Sequence, residues 1–80
     1  MSHAGRTPKR LAEKLRQIRK ALGLSQREMA QRLGIDITPN NISRYERAKT
    51  APTLTALLAY THLAKVPMEQ IVDDDLHLNL

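Results

Sequence analysis

The chain has 80 residues, 13 Lys and Arg against 8 Asp and Glu for a net charge of +5, and no cysteine. A chain of this length is expected to form one domain with a modest core, in which every apolar helix face is needed. The lack of cysteine excludes a disulfide framework or thiolate metal site and suits a reducing, cytoplasmic compartment, and no apolar run approaches the length of a membrane span.

The first six residues, MSHAGR, read as a flexible N-terminal arm without the apolar stretch of a signal peptide. Thr7 and Pro8 then make a helix start, with Thr as N-cap and Pro in the first turn, where its missing N–H costs nothing. Leu11, Leu15, Ile18 and Leu22 recur at steps of four, three and four, so they form one stripe of a helix over 7–22, which Gly23 ends. Lys9, Arg10, Lys14, Arg16, Arg19 and Lys20 fill the other faces and read as a solvated surface. LSQREM carries the clearest local signal: Ser25 as N-cap, Glu28 as its capping-box partner, and Leu24 and Met29 as a hydrophobic staple. A second helix therefore begins at Gln26, continues its buried face through Ala30 and Leu33, and ends at Gly34.

TPNNISRYE repeats this construction, with Thr38 as N-cap, Pro39 in the first turn, and Ile37 and Ile42 at the staple positions. At about 100° per residue, Ile42 and Tyr45 point to one side with Glu46 at their edge. Asn40, Ser43, Arg44 and Arg47 gather on the opposite side, a compact cationic face. A fourth helix opening at Thr53 is expected to bury Leu54, Leu57 and Leu58 with parts of Thr61 and Ala64, and Pro67 starts a short fifth helix carrying Met68, Ile71 and Val72. The domain spans 7–73. Residues 74–80 form a C-terminal tail, read as frayed, or through the alternation of Leu76, Leu78 and Leu80 as a short strand or dimer contact.

Charge is unevenly distributed. Residues 1–50 hold 12 Lys and Arg against 4 Asp and Glu, a net +8, whereas residues 51–80 hold 1 against 4, a net −3. The basic part is the one to meet a polyanion. Readers of single strands and RNA stack bases on aromatic rings, and this chain has two Tyr and no Phe or Trp, which favours duplex DNA. The same lack of Phe and Trp leaves the basic first helix without a membrane anchor.

LGLSQREMAQRLG followed by ISRYERAKTAPTLTALL resembles the Cro and repressor-type helix-turn-helix family of transcriptional regulators, also called the xenobiotic-response-element family. The resemblance runs from Leu11 to Val72. It implies an all-α, five-helix, lambda-repressor-like DNA-binding domain with its helix-turn-helix at helices 2 and 3, and a recognition helix over about 39–47. By position in that family, Gln26 grips a phosphate, Pro39, Asn40 and Arg44 face bases together with Ser43, and Arg47, Lys49 and Thr50 touch the backbone beyond. Arg19 and Glu46 match an inner ion pair. The chemistry agrees: Arg pairs bidentately with guanine and Asn with adenine in the major groove, and Pro39 can offer a thymine methyl an apolar contact. Three features depart from the family pattern. The turn through Ile35, Asp36 and Ile37 is two residues longer, Pro39 stands where relatives offer a long amide, and Ala48 stands where they commonly carry Gly.

No catalytic or metal-binding constellation is visible. His3, His62 and His77 lack a carboxylate or second His at ligand spacing, Asp73–Asp75 lack the glycine and distal glutamate of a calcium loop, and Ser25 is used as a cap. The expected function is a sequence-specific double-stranded DNA-binding transcriptional regulator, without enzyme activity or cofactor. It is expected to work as a homodimer on a palindromic operator, with Met68, Ile71, Val72 and Leu76 at the contact. The alternative is a protein-interaction module such as an antitoxin or an adaptor to the transcription machinery, with a protein partner.

Overall fold

Residues 7–80 are described by the computed structural model, and the expected arm over 1–6 lies outside them. Among the described residues are five helices and no strand: α1 (Leu11–Ala21), α2 (Gln26–Arg32), α3 (Pro39–Glu46), α4 (Leu54–Ala64) and α5 (Met68–Val72). None is long and apolar enough to cross a membrane.

Three of the starts follow from their capping residues. Ser25 Oγ accepts the Glu28 N–H at 3.0 Å and Glu28 Oε1 accepts the Ser25 N–H at 2.9 Å. Thr38 Oγ1 accepts the Asn41 N–H, and Asn41 Oδ1 accepts the Thr38 N–H at 3.0 Å, so an Asn closes the box that Glu closes on α2. Thr53 Oγ1 accepts the Ala56 N–H. Each such cap stabilises its helix by about 1 kcal/mol. The left-handed ends at Gly23 (φ +71°) and Gly34 (φ +69°) close α1 and α2.

α1 begins differently from the sequence expectation. Its N-cap is Arg10 rather than Thr7, and no local side chain caps it. The carboxylate of Asp74 does so instead, accepting the Lys9 and Arg10 N–H groups at 2.9 Å each across 65 and 64 residues of sequence. Lys14 is also corrected: read as part of a solvated face, it is 1% exposed. Its ammonium donates to the carbonyls of Gln70 at 2.8 Å and of Asp73 and Leu76 at 2.7 Å each. Three donors meet three acceptors at the C-terminal end of α5, where carbonyls have no partner in the helix and the dipole is negative. Desolvation and the nearby Arg10 push Lys14 down from the ordinary lysine value, while Asp74 and Asp73 pull it back.

These contacts also hold the C-terminal segment. Arg10 donates to the Asp74 carbonyl at 3.1 Å and shares a hydrogen bond with His77 Nδ1 at 3.2 Å, and the Asn79 N–H donates to Gln70 Oε1 at 2.9 Å. Leu78 packs against the core. Residues 74–80 form no strand, yet they are fastened to α1 and α5 rather than frayed.

The burial pattern of α4 differs from the one expected. Leu54 is 68% exposed and Leu58 44%, whereas Ala56, Tyr60 and Thr61 face the core, with Leu57 and Ala64 packed partly against it. The helix carries no charged residue, so no polar face marks which side turns outward. Thr61 Oγ1 donates to the Leu58 carbonyl, which satisfies one of the two hydroxyls that α4 buries; the other, on Tyr60, has no partner among the described residues. Leu15, Ile18, Met29, Ile42, Tyr60 and Ile71 fill the centre. Ile71, expected at a dimer contact, is therefore core.

The two N–H donors of Arg10 and Lys9 hold the Asp74 carboxyl below its ordinary value of 3.8, with smaller contributions from the charges of Lys14 and Arg10. A depressed carboxylate contributes stability that is present above the unfolded value and lost as pH falls through the folded one. Asp74→Asn should be less stable than the parent chain at pH 7. It should also show a flatter loss of stability as pH drops below about 3.8, measured by denaturant midpoints at a series of pH values.

Candidate nucleic-acid interface

α3 packs on α1 and α2. Ile42 and Tyr45 are buried on its inner side, and Pro39, Asn40, Arg44 and Arg47 are exposed on the outer, with Ser43 half-buried between. Hydrophobic packing alone permits such a helix to rotate or slide, and a buried ion pair removes that freedom. Glu46 accepts from Arg19 Nε at 2.7 Å and Nη2 at 2.9 Å, with their side chains 3% and 12% exposed, respectively. The third arm of the same guanidinium donates to the Leu24 carbonyl at 2.9 Å. The hydrogen bond with Glu46 holds Arg19 above its ordinary value, against the cost of desolvation. Gln26, the first residue of α2, donates to Glu46 Oε1 at 3.4 Å, so its side chain leans on this pair.

The segment after α3 is folded back by its own turn. Ala48 is left-handed, with φ 56°. Its N–H donates to the Tyr45 carbonyl at 3.2 Å and the Lys49 N–H to the Arg44 carbonyl at 2.9 Å. This is the paired closure that glycine usually supplies, and an alanine in it costs about 1 kcal/mol. The turn returns Thr50 to the outer face of α3, where its Oγ1 accepts from Arg44 Nε at 3.0 Å. Arg47 lies back along the helix, its Nε donating to the Ser43 carbonyl at 3.4 Å.

Lys49 and Thr50 are exposed, and the fold brings a residue to them that the sequence reading left in the solvated face. A cleft is lined by Thr7, Pro8 and Lys9 on one side and by Ala48, Lys49, Thr50 and Ala51 on the other. Lys9 is thus a neighbour of Lys49 although about half the chain separates them. The long-range cap from Asp74 to Lys9 and Arg10 helps to set this position, and no local pattern reveals it. Among the described residues, no group of three His, Cys, Asp or Glu side chains is placed to hold a metal ion.

A short helix packed on α2 and tied to α1 by an ion pair, with an amide and a guanidinium facing outward, has the layout of a helix-turn-helix module of the kind that reads duplex DNA. The helix-turn-helix family model matches residues 15–71, and the chain belongs to this family. The fold is similar to that of the P22 c2 repressor protein in the crystal structure of its complex with synthetic operator 9T in the presence of Tl+. The TM-score is 0.72 and the identity 26%, over 81% of this chain and 96% of that one. Among curated proteins none matches.

Removing one member of a buried ion pair strands the other charge, at about 3–5 kcal/mol, less where water reaches it. Arg19→Met alone should therefore be strongly destabilising in a denaturant titration. Arg19→Met combined with Glu46→Leu should recover much of the loss, because both charges are then gone; simple additivity would show that the two side chains are energetically independent.

Proposed function

We infer that the protein is a sequence-specific double-stranded DNA-binding transcriptional regulator that inserts α3 into the major groove. The observation that carries this reading is the outward face of α3, where Asn40 and Arg44 stand exposed on a helix whose inner face is fixed by Ile42, Tyr45 and the Arg19–Glu46 pair. The fold shared with the P22 c2 repressor, seen in complex with a synthetic operator, supports it. Arg44 would pair with guanine and Asn40 with adenine, with Pro39 and Ser43 at the edges of the same face.

Phosphates are held on either side. α2 presents the free N–H groups at its start beside Gln26, and Arg47 and Lys49 follow α3, with Thr50 in the same segment. Lys9 joins Lys49 across the cleft as a further cation for the backbone. The function requires no cofactor and no catalytic step, and it belongs in the cytoplasm.

The working unit in this reading is a homodimer on a palindromic operator. One short recognition helix covers too few base pairs to find a site in a genome, and two helices about 34 Å apart read successive major-groove faces. The uncharged face of α4 supports a contact between copies: Leu54 and Leu58 lie one turn apart and are both exposed. Leu54 is four residues beyond Thr50, so a contact there would set the spacing of the two DNA-facing segments.

Selection from a random duplex pool tests the reading directly, since a regulator of this kind should enrich one motif with inverted symmetry. On the selected site, Arg44→Ala should cost about 1–3 kcal/mol and blur one base pair, whereas Lys49→Ala should weaken all sequences alike and lower the salt slope by about 1. Uniform losses in both variants would refute the division between base and phosphate contacts.

Leu58→Asp should leave the fold intact, because the side chain is already exposed. It should also reduce binding to one protein per duplex in sedimentation at saturation. If the parent chain itself binds singly and its selected motif lacks symmetry, the monomeric adaptor reading takes the place of the dimeric regulator.

A further inference from the structure

We propose that Thr50 is a positioning residue for Arg44 and thereby sets specificity at the base pair Arg44 reads, rather than serving as one more backbone contact. The proposal rests on the reading of Arg44 as a base contact and concerns how that contact is made selective. The observation behind it is the hydrogen bond from Arg44 Nε to Thr50 Oγ1 at 3.0 Å, between two exposed side chains six residues apart.

An exposed arginine normally samples many rotamers, and ordering it on DNA removes that freedom. Fastening Nε fixes the guanidinium plane and its direction before DNA arrives. It also selects which edge of the fork is available. Nε is occupied by the threonine, so the pair of terminal nitrogens remains, and this end-on edge matches the O6 and N7 acceptors of guanine.

The chain around Thr50 is built to hold it there. Ala48 keeps a left-handed turn that glycine would adopt without strain, and the Lys49 N–H to Arg44 carbonyl bond closes that turn on the residue being positioned. Alanine also has fewer alternative conformations than glycine, which stiffens the segment. Threonine adds a further restriction, because branching at Cβ limits its χ1 where serine would rotate more freely. The Thr50 hydroxyl accepts from Arg44, so its own proton still points elsewhere and could reach a phosphate. That is the competing role the test must separate.

The test measures binding to the selected duplex and to its single-base variants, at several salt concentrations, for the parent chain, Thr50→Val, Thr50→Ser, Arg44→Ala and the double variant Arg44→Ala with Thr50→Val. Thr50→Val removes the acceptor at nearly constant shape. It should lower discrimination at the base pair blurred by Arg44→Ala by roughly three- to tenfold, the range expected for one lost hydrogen bond. Preferences elsewhere and the salt slope should stay unchanged. Thr50→Ser should restore most of the discrimination, and in the Arg44→Ala background Thr50→Val should have no further effect on selectivity.

A loss of affinity shared equally by all duplexes would make Thr50 a backbone contact and overturn the proposal. So would unchanged discrimination in Thr50→Val when Arg44→Ala does blur one base pair. If Arg44→Ala leaves every preference intact, the assignment of Arg44 as a base reader fails, and the proposal fails with it.

Discussion

The arrangement of the outward face of α3 depends on a single buried carboxylate. Glu46 sits at the C-terminal end of α3, 3% exposed, and a charge in that position demands partners. Arg19 supplies two hydrogen bonds from α1, Gln26 adds one from the start of α2, and the remaining arm of Arg19 ties down the Leu24 carbonyl between those helices. α1, α2, α3 and the α1–α2 turn thus converge on one ion pair. The geometry is bidentate, which fixes direction as well as distance. Its electrostatic influence extends to the fully buried Tyr60, whose hydroxyl has no partner among the described residues. Burial pushes that hydroxyl up from its ordinary value, and the nearby negative charge of Glu46 pushes it further.

The basic half of the sequence divides its cations between structure and surface. Arg10, Lys14 and Arg19 all count toward the positive charge of residues 1–50, yet each is spent on a bond within the protein. Arg10 and Lys14 hold the acidic C-terminal part, whose Asp74 returns the favour by capping α1. The field offered to a polyanion is consequently smaller than the count suggests, and it comes from the cations that remain exposed, Lys9, Arg44, Arg47 and Lys49 among them. The same exchange that fastens residues 74–80 also fixes the entry to α1, and with it the place of Lys9 beside Lys49.

Local chemistry was legible, whereas remote pairing was legible only where the family resemblance supplied it, as for Arg19 and Glu46. Ser25, Thr38 and Thr53 could be read as caps because capping is decided within four residues, and the inner face of α3 could be read because polar and apolar positions separate cleanly around it. α4 gave no such separation. Leu54 and Leu58 look more apolar than Ala56, but a small residue lets the helix approach its neighbours closely and Tyr60 fills the space one turn on, so burial follows fit rather than hydropathy. Lys14 departs from its expected exposure for a related reason. A lysine on a basic helix reads as solvated, and only the carbonyls of a segment some sixty residues away reveal it as a cap for α5. Of the outward residues, Asn40 and Arg44 stand where the helical period puts them, while the hydrogen bond between Arg44 and Thr50 depends on the left-handed turn at Ala48 that periodicity cannot express.

The same turn links the stability of the fold to the shape of its binding face. A glycine at position 48 would relieve the strain of a positive φ, but it would also widen the conformations open to Lys49 and Thr50. The chain accepts about 1 kcal/mol of strain in a module whose total stability is of the order of 5–15 kcal/mol, a cost small beside that total. Preorganisation has a corresponding benefit in recognition. Side chains that are already ordered lose less entropy on meeting DNA, so more of each hydrogen bond to a base edge remains as discrimination. In the proposed reading, phosphate contacts by the exposed Lys9 and Lys49 would obey the opposite logic, because attraction between charges is long-ranged and tolerates disorder. On that reading, an arginine fastened to Thr50 and exposed lysines beyond it would divide reading from holding between α3 and its surroundings.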